Sequence, residues 1–376
     1  MADSRSGDRG LVVRVSTLEL FFDLVFVFTI TQVSDLVLHA QSPADILRAA
    51  LALTLTWWMY GGYAWLTNSI GTSGTTTRLL LLTAMAGFLV MALALPAAFG
   101  RDGLAFGLAY LVVNIIHAAL FTQAPDKSSA RSIWRIAPFN IGAALIVVGA
   151  SFATDAMRSG LWLAAVALLG AVPFLGNVGG FAVQASHFVE RHGLVLIIAL
   201  GESIISIGVG AAGEPVRLPL VTAAVLTLAL SAAIWWSYFA QDELIAERAL
   251  SAVTGPARAR MGLFAFGYAQ LIMIAGVVVT AAGVKRLLQH LHEPTSLWTT
   301  ALLAGGIAMY LLGDVLFRQI IRISSSRFRV VAAVASLGTI LVGLWAGGIA
   351  QVGALLLLLV VTLTLEQATS RRPLRT

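Results

Sequence analysis

The 376-residue chain contains no cysteine. That excludes a disulfide scaffold, a thiolate nucleophile and any Cys-ligated metal site. Charge is scarce as well. Only 11% of residues are charged, against roughly 25% in soluble domains, while 59% are hydrophobic and the mean hydropathy is +0.89. Such a composition belongs to an integral membrane protein. Phosphate-binding G-x-x-x-x-G-K-[ST], strand–helix G-x-G-x-x-G, H-E-x-x-H and G-x-S-x-G strings are also missing, so ATP-driven transport and the familiar soluble hydrolase chemistries lose support. The formal net charge of +6 does not point to nucleic acid, because the basic residues stand singly between apolar runs rather than on one face. No motif calls for a cofactor or a metal ion. The first ten residues are polar, the apolar run after them carries Glu19 and Asp23, and no small-residue cleavage site follows. No cleaved signal peptide is expected.

What is present is a succession of apolar runs. About 20 such residues cross a hydrocarbon core roughly 30 Å thick. About twelve stretches qualify on that basis, near 18–39, 46–66, 79–99, 103–122, 136–154, 160–178, 193–212, 219–240, 261–283, 297–317, 330–347 and 349–366. Gly347 and Gly348 are the only punctuation between the last two. With the N-terminus inside, the clusters Arg5/Arg9/Arg14, Lys127/Arg131/Arg135, Arg318/Arg322/Arg327/Arg329 and Arg371/Arg372/Arg375 fall on one side. The other side holds Arg48, Arg101, Arg158, Arg217 and the pair Lys285–Arg286. The positive-inside rule then places both termini in the cytoplasm.

The halves resemble each other. Asp23 is followed by Trp57-Trp58-Met59-Tyr60 at nearly the same distance as Glu202 is followed by Trp235-Trp236-Ser237-Tyr238. Six spans per half keep both copies in one orientation, as in transporters built from parallel repeats. The expected organisation is a cytoplasmic segment over 1–17, a first six-helix half over 18–186, a second over 187–366 and a basic cytoplasmic tail over 367–376, all in one membrane domain. Gly176-Asn-Val-Gly-Gly180 loosens the junction, and the polar residues after it predict an interfacial or re-entrant turn before the seventh span.

Two carboxylates lie inside apolar runs. Asp23 sits one helical turn after Glu19, on a face shared with Ser16, Ile30 and Ser34. Glu202 sits among Gly201, Ser203, Ser206, Gly208 and Gly210, small and hydroxyl residues that suit close helix contact. An ionised side chain at bilayer depth costs about 2.5–3.5 kcal/mol on insertion scales, so both are expected to face protein or water. Near midplane, on equivalent helices, they form a coupling pair in one reading and hydrogen-bonded helix glue in the other. His117 is the one histidine deep in a span. It reads as a relay toward Glu202 or as a ring bonded to a backbone carbonyl. His187, Glu190, Arg191 and His192 form the densest polar group, read as an interfacial anchor or a site wall, with a weak metal signal. Trp57, Trp58, Tyr60, Tyr63, Trp65, Trp235, Trp236 and Tyr238 read as interfacial belt residues. Asp314 and Arg318 read as a local ion pair, and Asp242 and Glu243 as solvated.

Three strings, Leu18-Glu-Leu-Phe-Phe-Asp-Leu-Val-Phe-Val-Phe28, Trp57-Trp-Met-Tyr-Gly-Gly-Tyr-Ala-Trp-Leu-Thr-Asn68 and His187-Phe-Val-Glu-Arg-His-Gly-Leu-Val-Leu-Ile-Ile-Ala-Leu-Gly-Glu-Ser203, resemble the bacterial low-temperature-requirement A (LtrA) family of multispanning membrane proteins. The resemblance runs over most of residues 14–320. It implies that the hallmarks are Glu19, Asp23, His187, Glu190, Arg191, Gly193, Gly201, Glu202 and Ser203. It implies location and fold, but no settled activity.

The leading expectation is an ion-coupled secondary transporter in the bacterial cytoplasmic membrane. Glu19, Asp23, His117, Glu202, Ser203 and Ser206 would be its substrate or coupling residues. A membrane-embedded enzyme acting on an amphiphile and a structural scaffold are the alternatives. Membrane lipid and an unidentified small molecule or ion are the implied partners, and the oligomeric state is open.

Overall fold

The structure is a computed structural model that describes residues 15–70, 74–175, 180–323 and 326–370. The terminal basic clusters and residues 176–179 of the expected junction lie outside it. The described residues contain helices and no strand. These are α1 (Thr17–Leu38), α2 (Pro43–Ser69), α3 (Thr75–Ala94), α4 (Gly103–Phe121), α5 (Lys127–Ala150), α6 (Asp155–Leu175) and α7 (Ala185–Gly210). They continue as α8 (Leu218–Phe239), α9 (Asp242–Ala252), α10 (Gly255–Gly262), α11 (Gln270–Gln289), α12 (Leu297–Ile320), α13 (Arg327–Ala346) and α14 (Gly348–Ser370). A π-helical turn over Leu263–Ala269 joins α10 to α11 in one continuous rod.

Local sequence explains the boundaries. Ser16 and Glu19 close a capping box on α1, and Ser42 and Asp45 close another on α2 with Pro43 in its first turn. Gly347 divides α13 from α14 with φ 92 and ψ 162, a region open essentially to glycine. The expected break between the last two spans is therefore present, and it is one residue long.

Among the described residues eleven helices are long and apolar enough to cross a membrane, and the protein is a multi-pass membrane protein. α2 is not among them. Its 27 residues exceed the needed length, but Thr, Trp, Tyr and Gly dilute its hydropathy. It is largely interior, with Trp57, Tyr60 and Tyr63 fully buried. Helix directions show that it crosses too. Arg191 of α7 meets Glu19 of α1, and Glu202 of α7 meets Thr31 of α1, so the two helices run parallel. Five intervening helices must therefore all reverse direction, α2 included.

α1 lies at the centre, packed on α2, α3, α7 and α11. Neighbours recur in the two halves: α1 on α3 and α7 on α11, α2 on α6 and α8 on α14, and the hairpins α3–α4, α4–α5, α5–α6 beside α11–α12, α12–α13, α13–α14. The closest backbone approach is between α11 and α12. A Cβ on Gly276, Gly306 or Gly313 would come within 3 Å of the facing helix's backbone. The glycines beside Glu202 behave differently. Gly201 and Gly208 face open space, and only Gly210 abuts α11, at Leu288 and Lys285.

Candidate functional site

The α1–α7 seam carries two separate polar clusters. At its start, Glu19 accepts hydrogen bonds from the Ser16 amide and hydroxyl at 2.8 Å and from Arg191 Nη1 at 2.7 Å, with His187 Nε2 3.2 Å away. The same guanidinium donates to Thr67 Oγ1 and, at 3.4 Å, to Asp23 Oδ1. Tyr60 donates to that Asp23 oxygen at 2.9 Å, while Asp23 Oδ2 and Arg191 Nε have no partner. Phe22 and Tyr60 flank the guanidinium at 5.7 and 5.9 Å. Asn68 of α2 completes the wall, its amide 3.2 Å from His187 Nδ1 and bonded to the backbone at Gln184. The motif residues of α1, α2 and α7 thus converge.

The expected interfacial turn is instead the first two turns of α7. His187, Arg191 and His192 are buried because each finds a partner inside the bundle. His192 Nδ1 bonds the Phe188 carbonyl, and its ring packs on Phe188 and Phe266. Glu190 is half-buried and joins none of these bonds.

The second cluster is simpler. Thr31 Oγ1 donates to Glu202 at 2.6 Å and Ser206 Oγ donates at 3.2 Å. Glu202 is 1% exposed, and among the described residues no basic side chain pairs with it. Ser203 is buried beside it without a hydrogen bond. One turn past Thr31, Asp35 borders a cavity of about 600 Å³ whose mostly apolar wall also carries His39, Asp45 and Arg48. Lys285 of α11 is ion-paired with Asp35. Asp23 and Glu202 do not share one cavity. Eight residues of α1 separate Asp23 from Thr31, roughly 12 Å along the axis, and Phe26 and Ile30 fill the interval.

His117 is no relay toward Glu202. Its ring lies tilted against Tyr63 and edge-on to Phe121, and Nε2 has no hydrogen-bond partner. Several aromatics read as belt residues are also interior. Trp57 is 1% exposed and donates to the Gly267 carbonyl at 2.7 Å, whereas Trp235 is 41% exposed. The difference follows from α2 being a core helix and α8 a peripheral one.

A third cluster is invisible in local spacing. Arg329 donates to Asp314, to Asp242 at 3.1 Å and to Glu366, while Arg318 pairs with Glu366 at 2.9 Å and Asp242 at 3.3 Å. Asp314 and Arg318 therefore reach different partners rather than each other, and Asp242 is buried rather than solvated. The network ties α9, α12, α13 and α14. It lies at the end of the bundle where α7 begins, since Gly193 touches Glu243 and Phe239 there. Among the described residues no three His, Cys, Asp or Glu side chains gather as a metal site.

No solved structure matches the chain. A curated relative, an uncharacterized protein of Rhizobium meliloti (strain 1021), is 29% identical over 321 residues, 80% of this chain and 76% of the relative. The family model described as bacterial low temperature requirement A protein (LtrA) matches residues 14–365, which takes in all three motifs and both seam clusters, and the chain belongs to that family.

Proposed function

We propose that the protein is a cation-coupled secondary transporter in which Glu202 is the coupling carboxyl. The observation that carries this reading is the setting of Glu202, a buried carboxyl held only by hydroxyls. A bare carboxylate at that depth is costly, so the group takes up a proton or a small cation. Thr31 lies one turn from Asp35, which is paired with Lys285 and borders the cavity of about 600 Å³, and that cavity gives the cation a route from one side. Phe26, stacked on Tyr60 at 4.3 Å, separates this route from the Glu19/Asp23/Arg191 cluster on the other. An opening on one side, an apolar seal at Phe26 and a closed, buried polar cluster beyond it are the parts on which an alternating-access cycle would act.

In this reading residues 18–186 and 187–366 are parallel repeats, supported by the recurring neighbours and the parallel α1–α7 pair. Segments 1–17 and 367–376 lie in the cytoplasm with both termini, as the arginine distribution favours.

The test is infrared titration of the purified protein. The parent should show a protonated-carboxyl band that titrates with pH or shifts with sodium and is lost in Glu202→Gln, a variant that keeps the hydroxyl contacts. A spectrum identical in parent and variant at every pH, with and without sodium, removes the coupling role. Failure of Glu202→Gln to accumulate makes the residue structural.

A further inference from the structure

A cavity of about 100 Å³ lies apart from the α1–α7 clusters, where α2, α4, α5 and α6 of the first half meet α7 and the π turn. Aromatic rings line it, chiefly Trp57, Trp58, Trp65 and Phe121. Two polar side chains also line it without satisfying their hydrogen bonds. His117 Nε2 and Asn140 Oδ1 are buried and unpartnered, and their residues are 4% and 5% exposed. Native proteins leave few such atoms, because each forfeits about 1–3 kcal/mol of solvation.

The surrounding backbone is irregular. Pro138 lies inside α5 two residues before Asn140 and Pro173 inside α6 on the cavity wall, each removing one backbone donor from its helix, and the π turn supplies Leu263 and Gly267. Turns of π-helix recur at functional sites. Trp58, Pro173 and Leu263 are half-exposed, so the wall reaches the lipid-facing flank of the bundle.

An apolar cavity of about 150 Å³ takes a benzene molecule, so this space has the scale of a single ring. A water molecule needs two to four polar partners and meets mostly rings here. A hydroxyl donates one hydrogen bond and accepts others, which suits an amide oxygen and an imidazole nitrogen. We infer that this cavity is a binding site for a lipid-soluble, one-ring aromatic molecule bearing a hydroxyl, entering from the bilayer, with the ring among Trp57, Trp58 and Trp65 and the hydroxyl at His117 and Asn140. The site does not depend on the coupling role of Glu202, and its test involves no transport.

The test uses the full chain in detergent, with phenol and toluene as probes and tryptophan fluorescence as readout. Phenol should bind saturably, about tenfold more tightly than toluene. Asn140→Leu keeps the volume and should bring phenol down to the affinity of toluene. Gly61 lines the cavity and a Cβ there meets nothing within 4 Å. Gly61→Val should therefore fold normally, fill the space and abolish saturable binding of both probes; it also corrects for partition into micelles. If Asn140→Leu does not fold, the parent's phenol preference and Gly61→Val carry the test. The inference is overturned if neither probe saturates on the parent, if phenol and toluene bind alike, or if Gly61→Val binds phenol as the parent does.

Discussion

Replacing Arg191 with methionine tests whether the α1–α7 seam is held electrostatically. The guanidinium is fully buried, bonds Glu19, Asp23 and Thr67, and lies between Phe22 and Tyr60. Removing it leaves two carboxylates inside the bundle with no guanidinium between them and Ser16, Tyr60 and the His187 ring as polar neighbours. Deleting one partner of a buried ion pair costs about 3–5 kcal/mol. Methionine retains contact with both rings, so little is lost from the aromatic stacking. The expected destabilisation of Arg191→Met is therefore about 4 kcal/mol. Neutralising the stranded carboxylates should reverse most of it, since an uncharged cluster of similar shape is often as stable as a buried ion pair. The triple variant Glu19→Gln, Asp23→Asn, Arg191→Met should recover at least about 2 kcal/mol. Helicity followed by circular dichroism during denaturing-detergent titration measures both. The reasoning fails if Arg191→Met lies within about 1 kcal/mol of the parent, or if the triple variant is no more stable than the single one.

Gly276→Ala should destabilise the α11–α12 pair by about 1–3 kcal/mol, because its Cβ would strike the backbone of α12, whereas Gly201→Ala should be neutral or stabilising in the same titration. At the N-cap of α5, the hydroxyl of Ser128 and then that of Ser129 hold the Asp126 carboxyl down to about 2. Its folded value lies below the unfolded one near about 4, so the stabilisation is present above that value and disappears as pH falls toward 2. Asp126→Asn should melt below the parent at neutral pH and match it in acid; a gap constant with pH refutes the assignment. The effect is small because the carboxyl is solvent-screened.

Much of this architecture is written in periodic and compositional terms. Apolar runs mark all twelve helices cut from the sequence, and α2, cut at 46–66, is the one whose aromatic and hydroxyl residues, serving the interior, leave it less apolar than the other eleven. The α1, α2 and α7 motifs mark residues that meet in space. Ser16-x-x-Glu19 carries a capping-box spacing, so the cap role of Glu19 was available locally, whereas its ion pair with the distant Arg191 was not. Thr31 lay two turns beyond Asp23, roughly on the same side of α1. Other features had no local signal. Asp242, Asp314, Arg318, Arg329 and Glu366 come from four helices, and only tertiary packing decides which acid meets which base. The burial of Asp242 follows from that packing, whereas a charged span end in isolation reads as solvated. The contact of the π turn with α2, where the Gly267 carbonyl accepts from Trp57, is likewise encoded by no spacing.

The junction between α13 and α14 bears on how the chain enters the bilayer during synthesis. With Gly347 as the entire connection, no soluble loop exists to be carried across after the first of these helices has inserted. The two helices therefore form one tight hairpin, apolar along both arms, with Arg329 and Glu366 paired at its open end. The tip is then docked by the Gly348 amide, which donates to Thr295 Oγ1 at 2.8 Å. Assembly of the ion network is thereby a report that the last two helices have arrived with the correct depth and partner, and a ribosome-stalled chain ending before Glu366 would lack that latch.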